Sequence, residues 1–234
     1  MRVLRVIVIG SATLTLALAA PAAAAPVLLD DAQLAAAVLV PTDVPGGGWT
    51  AAPAGVIEPE PHTQANDIEG GWCGGATDSY VVGELHATAG TATTNLQRIV
   101  APDEPYWFVW QTLRSFQESF GNSPVTQAKN FMNTMKGATV ECDSWTTSGG
   151  EITNSISAAI EPFAAIGNQR FALRITTSGD GVTAETDAVY VRVANNVVVI
   201  HTRILPNDPT LLKQIVKKAT KKLKQAAAAA AAVA

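Results

Sequence analysis

Cysteine is almost absent: the 234 residues hold two, Cys73 and Cys142. Histidine is nearly as scarce, and His62, His86 and His201 show no ligand spacing, which argues against a zinc site. A Cys-x-x-Cys redox pair is missing too. No Gly-x-Ser-x-Gly elbow, His-Glu-x-x-His helix, phosphate-cradling loop or dinucleotide fingerprint occurs, so no signature of the common hydrolases, metalloproteases or nucleotide enzymes can be read. The stretch "GGWCGG" at 70–75 is glycine-rich but lacks the Lys-Ser/Thr ending that phosphate chemistry needs. Glu58 and Glu60 flank prolines and read as a solvated loop rather than a glycosidase dyad. Acidic residues are missing before Asp30 and after Asp208. No catalytic residue, metal or cofactor is therefore assigned.

What is present begins with the N-terminus. Arg2 and Arg5 precede an apolar run from Val6 to Ala20, and "PAAAAP" then supplies an Ala-x-Ala cleavage site at Ala22-Ala23-Ala24. This is the pattern of a secretory signal peptide over 1–24. The run is short for a membrane anchor, and no cysteine near the cleavage point allows lipidation. The product is expected to be secreted and soluble. An exported chain meets oxidising conditions, where an even cysteine count reads as disulfide. We therefore expect one bond, Cys73–Cys142, closing a loop worth about 4 kcal/mol in the chain-entropy model.

About 210 residues remain after cleavage, enough for a single domain over 25–225. The body carries eight basic and twenty acidic residues, net −12, and six lysines from Lys213 to Lys224 follow it. An acidic body argues against nucleic-acid binding. "LLDDAQLAAAVL" predicts a short helix starting near Asp30 or Asp31. Proline and glycine in "VPTDVPGGGWTAAP" open an irregular region through about Ala76. Tyr80 to Arg114 reads as strand, broken at "APDEP". "NSPVTQAKNFMNTMKGATVEC" predicts a helix with Ser123 as N-cap and Pro124 at N1. "EITNSISAAI", "QRFALRITT" and "AETDAVYVRVANNVVVIHTRIL" alternate as strands, with "TSGDG" and "ANN" as turns. "NDPTLLKQIVKKATKKLKQ" predicts a last amphipathic helix, and 226–234 is a low-complexity alanine tail expected to fray. The fold class is α+β, an antiparallel sheet with helices packed on one face and one disulfide.

"LLDDAQLAAAVLVPTDVPGGGW", the helix closing on "ATVEC", the pair "AVYVRVANNVVVIHTRI" and "NDPTLLKQIVKKATKKL" resemble the PknH-like extracellular sensor domains of actinobacteria. The resemblance covers most of the mature chain and rests on hydrophobic pattern and cysteine placement. It implies a stapled antiparallel sheet with helices and a cleft that receives a ligand. This chain departs from the family in lacking a kinase domain, a membrane span and a lipidation cysteine.

Strand phase supplies the candidate site. Phe171 and Leu173 oppose Arg170 and Arg174, Val189 and Val191 oppose Tyr190 and Arg192, and Val198 and Ile200 oppose His201 and Arg203. Val109 and Leu113 likewise oppose Phe108, Trp110 and Arg114. One aliphatic face suits helix packing. The other gathers Arg114, Arg174, Arg192, Arg203, His201, Tyr190, Trp110 and Phe108 as a candidate binding face. Arginine with aromatics suits a small molecule or cell-envelope ligand of anionic character. Three functions follow: a secreted non-enzymatic binding or sensor-type module, a secreted hydrolase with a dispersed active site, and an envelope-associated protein. The third would hold a membrane peripherally through the lysine helix. A perturbed carboxylate or a Ser–His contact would support the second.

Overall fold

The computed structural model describes residues 26–53, 86–99, 107–141, 143–149, 152–203 and 208–233. The signal segment, the 70–75 stretch, both cysteines, His62 and the Glu58/Glu60 pair lie outside the described residues.

Helix α1 spans Asp31–Ala35. Asp30 accepts from the Gln33 amide at 2.8 Å, and the Gln33 side chain accepts from the Asp30 amide at 3.0 Å, a reciprocal capping box. Strand β1 (Thr50–Ala51) pairs with β2 (Thr88–Arg98), which pairs with β3 (Trp107–Phe116). Helix α2 (Pro124–Glu141) starts where expected: Pro124 stands at N1 and the Ser123 hydroxyl accepts from the Thr126 amide at 3.3 Å. The chain then returns as a meander of β4 (Ser144–Gly149), β5 (Ile152–Glu161), β6 (Gln169–Gly179), β7 (Val182–Val193) and β8 (Asn196–Arg203). Strand β4 was not singled out in the sequence. Helix α3 (Pro209–Ala231) closes the chain, with the Asp208 carboxylate accepting from Thr210 and Leu211 amides.

Among the described residues all pairings are antiparallel, and the eight strands form one sheet in the order β1-β2-β3-β8-β7-β6-β5-β4. Helix α2 thus carries the chain from the sheet centre to its far edge. The meander then walks back until β8 meets β3. Asp180 and Gly181, both at positive φ (49° and 74°), form the two-residue turn that joins β6 to β7.

The expected one-sided helix packing is corrected by the core. Leu96, Val109, Leu113, Val189, Val191, Val198 and Ile200 bury one sheet face against α1 and α3. Phe116, Phe171, Leu173, Tyr190, Val197 and Val199 bury the other against Ala128, Phe131, Met132 and Met135 of α2. The sheet is covered on both faces. The run Val197–Val198–Val199–Ile200, buried throughout, is the sequence trace of this arrangement, since a strand with one wet face alternates.

Polar side chains fasten the N-terminal segment across β3 on the α3 face. The Leu29 amide donates to Ser115 Oγ at 2.9 Å, and the Leu39 amide donates to Gln111 Oε1 at 2.6 Å. Asn195 Nδ2 donates to the Val27 and Phe116 carbonyls. Gly90 of β2 is required here, because a Cβ at that position would lie 2.6 Å from the Leu29 carbonyl oxygen. The alanine tail, expected to fray, remains helical to Ala231, with Ala226 and Ala227 packed against the core.

Candidate functional site

Strand register decides where the eight candidate side chains go. Phe108 pairs with Arg203, Trp110 with His201, and Arg114 with Val197. Ala188 pairs with His201 and Arg192 with Val197, so Phe108, Trp110, Arg114, Tyr190, Arg192, His201 and Arg203 share the α2 face. Arg174 does not. It pairs with Asp187 in the phase of Ala172 and Val189, which belong to the α3-face core. The expectation that Phe171 and Leu173 join the aliphatic face is overturned with it. The turn at Asp180–Gly181 sets Gly179 against Val182 and hence Phe171 against Tyr190, whose rings stack at 4.5 Å.

Three of the seven are engaged in the fold. Arg114 is buried beneath α2, its guanidinium 5.8 Å from the Phe131 ring centroid. Tyr190 is buried among Phe131 and Phe171. Arg192 donates through Nε to Gln169 Oε1 at 3.1 Å and through Nη1 to the Ala194 carbonyl at 2.8 Å. Gln169 in turn donates to Asn133 of α2 at 2.9 Å. Burial pushes the Arg192 pKa down from its usual value. On the opposite face, Arg174 donates to Asp187 at 3.0 Å, and that hydrogen bond raises its pKa against the opposing effect of burial. The open arginine-rich face expected from alternation is therefore reduced to one corner.

That corner is a block of two register pairs, Phe108 with Arg203 and Trp110 with His201. All four side chains are half-buried, and none belongs to the cluster beneath α2. His201 lies 6.2 Å from the Trp110 ring and 6.3 Å, edge-on, from Tyr190. Among the described residues, Trp110 Nε1 and Arg203 Nε are both buried without a hydrogen-bond partner. Each such donor costs on the order of 1–3 kcal/mol until an acceptor reaches it.

A second feature lies on the Arg174 side of the sheet. Ser144, Thr146, Ser155, Ser157, Thr176 and Ser178, with Ile156, line a shallow depression of about 390 Å³. No titratable group lines it, so it offers hydroxyl contacts without an acid, base or activated nucleophile.

The sequence reading missed an ionic clamp. Asp43, which ends a short 3₁₀ turn, binds Lys222 at 2.7 Å and Lys218 at 3.1 Å. Lys222 also donates to the Val38 carbonyl. Burial would raise the Asp43 pKa, but hydrogen bonds from Lys222, the Val40 amide and Lys218 outweigh it and lower the value to about 2. This perturbed carboxylate is held ionised, the opposite of a general acid. The remaining described histidine, His86, contacts Gln127 Oε1 at 3.1 Å with Phe116 and Phe131 edge-on around it. Among the described residues no three His, Cys, Asp or Glu side chains converge to hold a metal, and no helix is long and apolar enough to cross a membrane.

Fold and site together define an α+β protein with one antiparallel sheet between helices and a small aromatic-cationic corner. No family model matches the chain, and no curated protein matches it. Among solved structures it is similar to the extracellular domain of PknH from Mycobacterium tuberculosis, with 16% identity and a TM-score of 0.46 over 62% of this chain and 68% of that one.

Proposed function

We propose that this chain is an exported, non-enzymatic binding module of sensor type, stapled by Cys73–Cys142. Its ligand seat is the β3–β8 corner formed by Phe108, Trp110, His201 and Arg203. The observation that carries the reading is the pair of buried, unpartnered donors at that corner, Trp110 Nε1 and Arg203 Nε, beside two half-exposed aromatic rings. Both donors are closed to solvent, so an anionic acceptor satisfies them only as the corner's side chains move aside, and the rings supply apolar contact to whatever bears the charge. The segment resemblances to extracellular sensor domains support the same class.

The test compares arginines with different duties. Naphthoate added to the intact chain should shift the Trp110 indole N–H resonance in a saturable manner, whereas neutral naphthalenemethanol should not. Arg203→Ala should abolish that shift while leaving the melting temperature within a degree or so, because Arg203 Nε has no hydrogen-bond partner among the described residues. Arg192→Ala should lower stability by about 2 kcal/mol and preserve the shift, since its hydrogen bonds tie the β7–β8 turn to Gln169. A shift that survives Arg203→Ala removes the proposed seat.

A further inference from the structure

The six lysines of α3 divide into two sets with different duties. Lys218 and Lys222 turn toward Asp43 and fix the helix to the N-terminal segment. Lys213, Lys217, Lys221 and Lys224 are exposed. At 3.6 residues per turn those four fall within an arc of about 80° and form a band about 16 Å long on one side of the helix. The helix contains no acidic residue to neutralise them. Beneath the row, Leu212, Ile215, Val216, Ala219 and Leu223 are buried in the core, so the array is held by packing rather than by the ligand it would meet.

We infer that this lysine row is a docking strip for a linear polyanion, a polymer bearing phosphate or carboxylate groups along its length. Charge complementarity is the first reason. Successive lysines stand four, four and three residues apart, about 6, 6 and 4.5 Å along the helix, which lets one extended chain of charges engage all of them. The surroundings argue for a thread rather than a plane. Asp30 and Asp31 are exposed on and beside α1, which packs next to α3, and the body as a whole carries net −12. A flat anionic bilayer approaching the strip would also face the acidic body around it, whose repulsion is screened only beyond about 8–10 Å. A thin polymer meets only the row. An interfacial helix would also need its apolar face free for the acyl boundary, and here that face is committed to the core. The strip is on the sheet face opposite the Phe108–Arg203 corner, so it stands or falls independently of the proposed ligand seat.

Inorganic polyphosphate is the probe, titrated against the intact chain over a range of sodium chloride concentrations. Four contacts predict a log–log salt slope of about −3, from roughly 0.7–0.9 ions released per contact. Replacing Lys213, Lys217, Lys221 and Lys224 together by Gln should weaken binding by more than ~30-fold. This follows from the roughly tenfold-or-less increments that surface charge contacts make. Replacing the exposed α2 lysines Lys129 and Lys136 by Gln changes net charge without touching the row, and should leave affinity within about twofold. Circular dichroism establishes that both variants fold. Unchanged polyphosphate binding in the fourfold variant overturns the inference, as does a salt slope near zero. Binding to phosphatidylglycerol vesicles without binding to polyphosphate overturns it in favour of a bilayer partner. Competition by free phosphate as strong as by the polymer, at equal phosphate concentration, overturns the linear-ligand claim.

Discussion

Ala194 shows how a single residue can be held where its side chain does not want to be. It turns β7 into β8 with φ at 53°, a region that costs an L-residue with a Cβ on the order of 1 kcal/mol. Its surroundings compel the conformation. The Ala194 amide donates to Asn168 Oδ1 at 2.8 Å, its carbonyl accepts from Arg192, and the neighbouring Asn195 side chain reaches Val27 and Phe116. Ala194→Gly should therefore raise stability by about 0.5–1 kcal/mol, read as a higher denaturation midpoint with an unchanged urea m-value. A loss of stability would show that the left-handed conformation is not what the position demands. The "ANN" turn was legible in the sequence. Its strain was not, because nothing local marks Ala194 rather than Asn195 as the residue at positive φ.

Among elements, α3 had two open fates, packing on the sheet or lying on a membrane. Its buried stripe is the one the spacing of Leu212, Ile215, Val216, Ala219 and Leu223 predicts. The ionic clamp at Asp43 adds something that helical periodicity does not reveal, because Asp43 and Lys222 are 179 residues apart. Asp43 has a folded pKa of about 2 against an ordinary value of 3.8. The sign is that of a depressed carboxylate: the stabilisation is complete above about pH 4 and is lost as pH falls toward 2. The difference corresponds to roughly 2 kcal/mol. Asp43→Asn should lower stability near neutral pH by at least that amount and flatten the acid limb of the stability–pH curve between about pH 4 and 2. A variant whose acid limb keeps its wild-type slope would remove the clamp from that role.

For the whole molecule, the proposed disulfide links the residue after α2 to the 70–75 stretch across 69 positions of sequence. Reduction, or Cys73→Ser, should cost about 4 kcal/mol if the chain-entropy account holds. The unreduced, unfolded protein should take up no thiol label; full labelling without reductant would exclude the bond. Much of the architecture could be read from the chain in order. Two-residue alternation gave β6, β7 and β8, the helix starts at Asp30 and Ser123 sit where side-chain acceptors meet helix amides, and "GDG" marks a hairpin. These are local properties, set by backbone sterics and hydrogen bonds a few residues long. Which face a strand shares with its neighbour is not local. Alternation within β6 correctly separated Arg174 from Leu173, yet only the register with β7 put Arg174 beside Asp187 and Leu173 beneath α2. The two-residue turn implied that register, and following it from Gly179 and Val182 would have paired Phe171 with Tyr190. The path of α2 had no such trace. A helix chooses a sheet face through the sum of its contacts with five strands, most of them remote in sequence, and that choice left Arg203, rather than Arg114 or Arg192, at the half-buried corner. Sequence determined which residues alternate and where helices begin; tertiary packing decided which arginines were spent on the fold, because burial and pairing depend on neighbours that the local chain does not specify.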